Sequence, residues 1–467
     1  MNDITTDLVV IGGGPGGYAS AFYAAEKGIN VTLVDAGARL GGVCLNEGCI
    51  PSKALIHATQ LMKQTQHAKE FGLKFAKAKV DLDQMRKKKD EIISSLAQGV
   101  ASLAKAKKVT VIKGKAFFEA TDLIRIESHE GQQNLRFKHA IIAVGSDASL
   151  PALFDLGSSR VMTSREALNL EEIPDQLLVI GGGYIGLELG MVYSNLGSKV
   201  SMVEASDALL GGFDKDLLRP INQSVKSQFK ELFLKTTVQK MQTKGKKIEL
   251  TFQSSEKTFS KSYDRVLVAV GRQAKSQNLG LEYAGIECDE KGFIKINDVQ
   301  QSSVKNIYAI GDVVGGVMLA HKASKEAKIA VDSILGETVA PLSSFVIPCV
   351  VFTDPELAWA GVTEKEAKES GMSYKIAKFP WTASGKAMAL DRTDGLTKVI
   401  YNPDTHRILG VGMVGVSAAN LISEAVLAID ASLTLEDFAE SIHPHPTLSE
   451  TIMEASEQGL GFPIHSI

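Results

Sequence analysis

This chain of 467 residues has little cysteine, no long apolar run and almost no net charge. Four cysteines in that length are not a disulfide framework, and such sparse use fits a reducing compartment, where structural disulfides do not persist. No run of about 18 apolar residues occurs, so no helix-forming stretch is expected to span a membrane. A formal charge of -3 carries no electrostatic footprint for nucleic acid. The first strand pattern begins within a handful of residues of Met1, which leaves no room for a signal peptide, a transit peptide or a carrier domain ahead of it. The expectation is a bacterial cytoplasm; a processed chain of the mitochondrial matrix would read similarly. What remains is an ordinary globular composition, 44% hydrophobic and 22% charged, in a length that suits roughly three domains.

Leu8-Val9-Val10-Ile11 reads as a buried parallel strand. It runs into Gly12-Gly13-Gly14-Pro15-Gly16-Gly17, which satisfies G-x-G-x-x-G, then a helical pattern over 18–27 and a second strand over 31–34 closed by Asp35. Gly12 permits the tight turn, Gly14 lets a pyrophosphate approach the backbone, and Gly17 lets helix and strand pack closely. Asp35 can accept from a ribose hydroxyl, and the helix N-terminus supplies donors for the anion. A second copy begins at Leu177. A strand leads into Gly181-Gly182-Gly183-Tyr184-Ile185-Gly186, and the next strand ends at Glu204. Glu204 can accept from a ribose 2′-hydroxyl and would repel a 2′-phosphate, and no arginine stands in 205–210. The second site therefore reads as NAD rather than NADP. Two such folds in one chain suggest two dinucleotides facing each other, one fixed and one exchangeable.

Between the two copies lies Gly41-Gly42-Val43-Cys44-Leu45-Asn46-Glu47-Gly48-Cys49-Ile50-Pro51-Ser52-Lys53. The spacing leaves two readings open: a reversible disulfide, or two buried thiols on a helix acting as small hydrophobes. Further on, 82–103 has helical spacing with a stripe at Leu82, Met85, Ile92, Leu96, Val100 and Leu103. Arg86-Lys87-Lys88-Lys89 falls on the other faces, as a solvated surface or a partner-docking patch. Strands are expected at 109–113, 123–126 and 139–144, the last closed by Gly145-Ser146. After the second fingerprint the first fold is expected to resume, with strands at 266–270, closed by Gly271-Arg272, and at 307–310, closed by Gly311-Asp312. Asp312 is either a ligand for a hydroxylated chain or a helix cap for the segment beginning at Ala320. From about Phe345 the pattern becomes α+β without nucleotide motifs. Cys288 and Cys349 read as inert. In His443-Pro444-His445-Pro446-Thr447-Leu448-Ser449-Glu450, His445 and Glu450 are either a base with its orienting carboxylate or a loop histidine and a first-turn glutamate.

These pieces, in this order, resemble the class I flavin disulfide oxidoreductases over almost the whole chain. The thirteen-residue cysteine signature of that family is met at 41–53, its Gly-Gly-Tyr-Ile-Gly-Leu-Glu at 182–188, and its Gly-Asp and His-Pro-Thr-Leu-Ser-Glu at 311–312 and 445–450. The pattern is that of the members that oxidise dihydrolipoamide with NAD+. The resemblance implies an α/β protein with two Rossmann-like dinucleotide-binding domains plus a C-terminal α+β dimerisation domain. An FAD-binding domain would span 1–147 and resume at 274–344 around an NAD-binding domain at 148–273, and an interface domain would span 345–467. Cys44 would be the interchange thiol, and Cys49 would lie against the flavin as a charge-transfer thiolate. Lys53 would pair with Glu188 near the flavin. Ile185 and Glu188 would border the nicotinamide pocket, and Gly145, Gly271, Gly311, Asp312 and Ala320 would join the fingerprint residues in holding FAD and NAD. His445, oriented by Glu450, would serve as base from the other subunit of a homodimer. Partners would be dihydrolipoamide on the lipoyl domains of 2-oxo acid dehydrogenase complexes, with no metal.

Related reductases and a non-catalytic complex subunit are the rivals. A glutathione reductase would need basic residues near Glu204, and a mercuric reductase would need a cysteine pair near 459–462; neither is present. The intact Cys44, Cys49, His445 and Glu450 argue against a vestigial site. Departures from the family pattern stand at Val43, Ala274, Ser384, Lys386 and 415–420.

Overall fold

The computed structural model describes residues 4–465. Its first sheet is built on β1 (Ile4–Ile11), which pairs in parallel with β2 (Val31–Asp35) on one side and β6 (Gly131–Ile142) on the other. β3 (Thr110–Lys113) extends the sheet beyond β2. β4 (Lys115–Ala120) and β5 (Leu123–Ser128) continue it as an antiparallel meander from the first half of β6. Alternation along β1 divides the core, as the two-residue period of a strand requires. Leu8 and Val10 face the alanines of α1 (Pro15–Glu26), while Val9 and Ile11 face Phe118, Ile124 and Leu135. Both faces are covered, hence the unbroken apolar run.

After β1 and β2, the cysteine stretch folds as two helices, α2 (Gly42–Glu47) and α3 (Cys49–His67), hinged at Gly48. α4 (Leu82–Ala106) follows. Its buried stripe is Lys89, Ile93, Ala97 and Ala104, whereas Leu96 and Leu103 are exposed. The stripe expected from apolar spacing is therefore rotated, and the basic run is not a free surface. Lys89, 7% exposed, donates to the Leu168 carbonyl, and Arg86 donates to those of Leu170 and Glu171. These carbonyls sit at and just beyond the C-terminal end of α5 (Ser164–Asn169), where helix carbonyls lack intrahelical partners and the dipole favours cations. Long apolar stems let Lys and Arg pack inward while their heads reach those oxygens.

The chain leaves the first sheet through β7 (Ser146–Ala148) and builds a second one. There β8 (Val161–Met162), β9 (Gln176–Ile180), β10 (Lys199–Val203), β11 (Glu231–Phe233) and β15 (Arg265–Val268) lie in the order β11-β10-β9-β15-β8. A three-stranded antiparallel sheet, β12 (Thr237–Lys244), β13 (Lys247–Gln253) and β14 (Thr258–Tyr263), precedes β15. The expectation that the first fold resumes with the 266–270 strand is corrected. β15 pairs with β9 and β8 and completes the second sheet. An apolar run does not carry the identity of its neighbours, and this one closes the unit it follows. The return is made one strand later, by β16 (Arg272–Ala274), antiparallel to β7. β17 (Ile307–Ala309) then pairs with the second half of β6. α6 (Tyr184–Leu196) and α7 (Lys215–Gln228) belong to the second unit, and α8 (Ala320–Ile334) packs beside α1 in the first.

The last unit is an antiparallel sheet of β18 (Cys349–Val351), β19 (Glu356–Gly361), β20 (Lys375–Pro380), β21 (Leu396–Tyr401) and β22 (Ile408–Gly415), ordered β18-β19-β22-β21-β20. The short helices α9 (Glu364–Glu369) and α10 (Gly385–Ala389) lie between strands. α11 (Ala418–Asp430), α12 (Leu435–Glu440) and α13 (Glu450–Leu460) follow β22. Lys398 on β21, 0% exposed, reaches Asp214 (2.9 Å), Asp216 (3.2 Å) and Glu364 (2.7 Å), tying the start of α7 to this sheet.

Candidate active site

A cleft of about 1170 Å³ opens where the first two units meet. Its floor is the first glycine turn. Gly12 has φ +106°, and a Cβ on Gly17 would stand 1.7 Å from the Gly12 carbonyl, so only glycine lets α1 start this close to β1. The Asp35 carboxylate accepts from the Gly13 N–H (3.0 Å). α1 has no side-chain cap, which leaves the donors of its first turn to an anion. The second fingerprint repeats this geometry. Gly181 has φ +106°, a Cβ on Gly186 would lie 2.2 Å from the Gly181 carbonyl, and α6 is likewise uncapped. Glu204 accepts from the Gly182 N–H (2.7 Å) and the Ser206 N–H (2.7 Å). Its carboxyl is held below the usual range: burial opposes ionisation, but these donors outweigh it.

The cysteines are carried into the cleft by α2 and α3. α2 starts against the nucleotide turn, since a Cβ on Gly42 would come within 2.6 Å of the Gly14 Cα. Cys44 projects from α2, and Cys49 is the first residue of α3, where the helix dipole favours a thiolate. Both thiols are free. Cys44 donates to Cys49, and this hydrogen bond, helped by the Lys53 charge against burial and the Glu188 charge, brings the Cys49 thiol down to about 7. The same hydrogen bond, with burial, pushes Cys44 far up. One proton is thus shared unequally, and Cys49 is the sulfur that holds the anion.

Lys53, one turn along α3, meets Glu188 of α6 at 2.8 Å. Glu188 is 4% exposed and accepts a second hydrogen bond from the Phe352 N–H (3.0 Å), while the Lys53 ammonium lies 4.3 Å from the Phe352 ring centroid. Each unit therefore contributes to one ion pair beside the thiolate. On the opposite wall, Arg272 donates to the Ser146 hydroxyl (2.7 Å) and carbonyl (2.7 Å), and the hydroxyl donates to Asp312.

Of the residues expected from sequence, Gly12, Gly14, Asp35, Cys44, Cys49, Lys53, Gly145, Ile185, Glu188, Gly311, Asp312 and Ala320 line this one cleft. Gly17 packs behind it. Gly181, Gly183, Gly186, Glu204 and Gly271 do not line it; the first four form the second glycine turn, and α6 joins the two sites by sending Tyr184, Ile185 and Glu188 back into the cleft. His445 and Glu450 are paired (Nδ1 to Oε1, 2.8 Å) but stand outside the cleft of their own chain, with the His445 side chain 78% exposed. Sequence reasoning missed Ser146, Arg272 and the buried Lys322–Glu326 pair (2.6 Å), whose carboxylate accepts from the Gly311 N–H (2.7 Å). The signal for the first two was present: each is a polar residue after a glycine that ends an apolar strand.

Residues 6–327 match the pyridine nucleotide-disulphide oxidoreductases, and residues 347–456 match the dimerisation domain of the same name. The chain belongs to that family: it is an oxidoreductase of the flavin disulfide class, which uses FAD and NAD(H). It is 41% identical over 466 residues to dihydrolipoyl dehydrogenase of Staphylococcus aureus, covering 99% of this chain and 98% of that one. Against dihydrolipoyl dehydrogenase of Geobacillus stearothermophilus it is 42% identical over 464 residues, with the same coverage. Among solved structures, LpdA of Mycobacterium tuberculosis superposes with a TM-score of 0.90 at 25% identity, covering 97% of this chain and 99% of that one. The HOCl-induced flavoprotein disulfide reductase RclA of Escherichia coli superposes with a TM-score of 0.86 at 28% identity, with the same coverage. The uncapped helix start, the acid at the end of β2 and the Asp312 wall suit an FAD dinucleotide with its phosphates on α1.

Proposed function

We propose that this chain is a dihydrolipoyl dehydrogenase, which oxidises dihydrolipoamide on lipoyl domains of 2-oxo acid dehydrogenase complexes and reduces NAD+. The observation that carries the reading is that Cys44 and Cys49 stand together in the cleft of the first glycine turn, beside the Lys53–Glu188 ion pair. The relatives at 41% and 42% identity support it.

In this reading FAD, held by Gly12, Gly14, Asp35, Gly145, Gly311, Asp312 and Ala320, supplies the two-electron carrier between dithiol and nicotinamide. Gly181, Gly183, Gly186, Glu204 and Gly271 hold NAD+, with Ile185 at the nicotinamide. The protein's own residues do the sulfur chemistry. His445 of a second copy, with Nδ1–H donated to Glu450, takes a proton from the substrate thiol at Nε2. The thiolate formed attacks the Cys44 sulfur of the oxidised pair, and Cys49 leaves as a thiolate beside Lys53. The substrate's second thiol then attacks its first sulfur and closes the lipoyl ring; Cys44 is expelled and takes the proton held on His445, and His445 in turn takes the proton of the second thiol. The units of this reading are 1–147 with 274–344, 148–273 and 345–467, a division supported by the separate sheets although its bounds cut β7 and β16; the last unit is the dimer interface, and the site of action is the cytoplasm.

The test is NADH formation from dihydrolipoamide and NAD+ by the purified protein, with glutathione disulfide plus NADPH as the control pair. Turnover with the first pair alone is expected, together with its loss in a folded, yellow Cys44→Ser variant. Turnover with the control pair, or a fully active Cys44→Ser protein, overturns the reading.

A further inference from the structure

The loop that carries His445 has a second histidine, and the two are held in opposite ways. Among the described residues His445 makes one polar contact, through Nδ1 to Glu450, which leaves Nε2 free. The His443 side chain is 6% exposed and uses both ring nitrogens. Nδ1 lies 2.9 Å from the Ser441 carbonyl and Nε2 lies 2.9 Å from Glu424 Oε1. A carbonyl oxygen only accepts, so Nδ1 carries a hydrogen. A carboxylate also only accepts, so the second contact holds another proton, which makes the pair an imidazolium and a carboxylate. The groups turned toward this ring come from three elements: Glu424 on α11, the Ser441 carbonyl after α12, and Glu450 at the start of α13.

We infer that His443 and Glu424 are positioning residues for the base of the dithiol step: together they clamp the loop between α12 and α13 to α11, so that His445 is presented with its free Nε2 outward. The inference rests on the role proposed above for His445. The clamp is needed because the half of the loop that carries His445 has little else. Ile442, Pro444, His445 and Pro446 are exposed, and the contacts that hold it from within are Thr447 to the Pro444 carbonyl (2.7 Å) and Thr447 N–H to Glu450 (2.6 Å). Both are local to the loop and the first turn of α13. At the far end of the loop Leu448 is buried in a cluster with Trp381 and Ala387 that Leu421 of α11 packs against; beside His445, among the described residues, the His443–Glu424 contact is the polar one that reaches across to another helix. A base displaced by about 1 Å loses much of its rate even though its chemistry is untouched.

The charge on the clamp gives it a signature. The hydrogen bond from Glu424 raises the His443 imidazole above its ordinary value, with burial opposing. A group raised in the folded state contributes its full stabilisation below the unfolded value and loses it as pH rises through the folded one. The clamp is thus fully engaged below the ordinary imidazole value and is released only as pH rises through the higher folded value.

The experiment measures kcat/KM for dihydrolipoamide across pH in the intact holoenzyme and in Glu424→Gln, Glu424→Asp, His443→Gln and His445→Ala, alongside NADH-driven reduction of an artificial electron acceptor. His443→Gln and Glu424→Gln are expected to lower kcat/KM for the dithiol about tenfold, with the artificial acceptor reduced at the native rate. Glu424→Gln is also expected to move the alkaline limb of the dithiol profile to lower pH, because it withdraws the anion that raises His443, whereas Glu424→Asp restores much of both. A general loss of packing would scale the profile without moving it. Native dithiol kinetics in the His443 and Glu424 variants beside an inactive His445→Ala overturns the clamp alone. Native kinetics in His445→Ala overturns the role of His445 itself.

Discussion

At Cys49 four effects compete for one proton. The Cys44 donor and the Lys53 charge favour the thiolate, while burial and the Glu188 carboxylate disfavour it, and the balance falls at about 7. In the reduced protein the pH dependence of alkylation at Cys49 is therefore expected to have its midpoint near neutrality. Lys53→Gln removes a stabilising charge, so its midpoint moves upward; an unmoved midpoint refutes the charge argument. At the second glycine turn, Glu204→Arg is expected to shift preference from NAD+ toward NADP+, read as the ratio of kcat/KM values for the two. An unchanged ratio would separate Glu204 from cofactor choice. Residues of this kind were legible in the sequence because their work is done locally. A glycine at φ +106° or an acid closing a strand announces itself within a few positions. Arg272 and Ser146 left a local signal too, but their meeting could not be read, because it depends on two strands far apart in the chain lying side by side.

For elements, type and position were mostly readable and orientation was less so. The unbroken apolar run of β1 correctly implied a strand covered on both faces. On α4 the apolar spacing misplaced the buried stripe, because small alanines and one lysine occupy it instead of the larger Leu96 and Leu103. Spacing rules count apolar residues and cannot see that a lysine stem packs well once its head finds a carbonyl. Lys89→Ala is expected to lower stability by about 1–3 kcal/mol, since the Leu168 carbonyl loses its donor in a buried place. The exposed Lys87→Ala stays within about 0.5 kcal/mol. Denaturant unfolding of the two variants compares them directly, and equal midpoints would return the basic run to the solvated surface first expected of it.

Across the whole molecule the three units are joined by buried charge. Lys53 and Glu188 close the cleft, and Lys398 gathers Asp214, Asp216 and Glu364 at the joint between the second unit and the last. Removing Lys398 leaves Asp214, 5% exposed, without its cation, while Asp216 keeps Lys378 and Glu364 is 41% exposed. Lys398→Met is expected to cost about 3–5 kcal/mol in stability, seen as an early unfolding transition, and a native-like midpoint would mean that water reaches the carboxylates. None of these partners could have been named from the sequence, where they are scattered over two units.

The side-by-side strands β7 and β16 have a consequence for how the protein is made. A ribosome delivers β1 to β6 first, yet β17, which completes that sheet, emerges only after the whole second unit. The second unit enters and leaves through adjacent strands, so it can fold as a self-contained cassette while the older sheet waits with the second half of β6 bare along one edge. The part of the molecule begun earliest is the part finished late. The same adjacency makes 148–271 the segment that can be exchanged for another nicotinamide-binding module with both ends already in register.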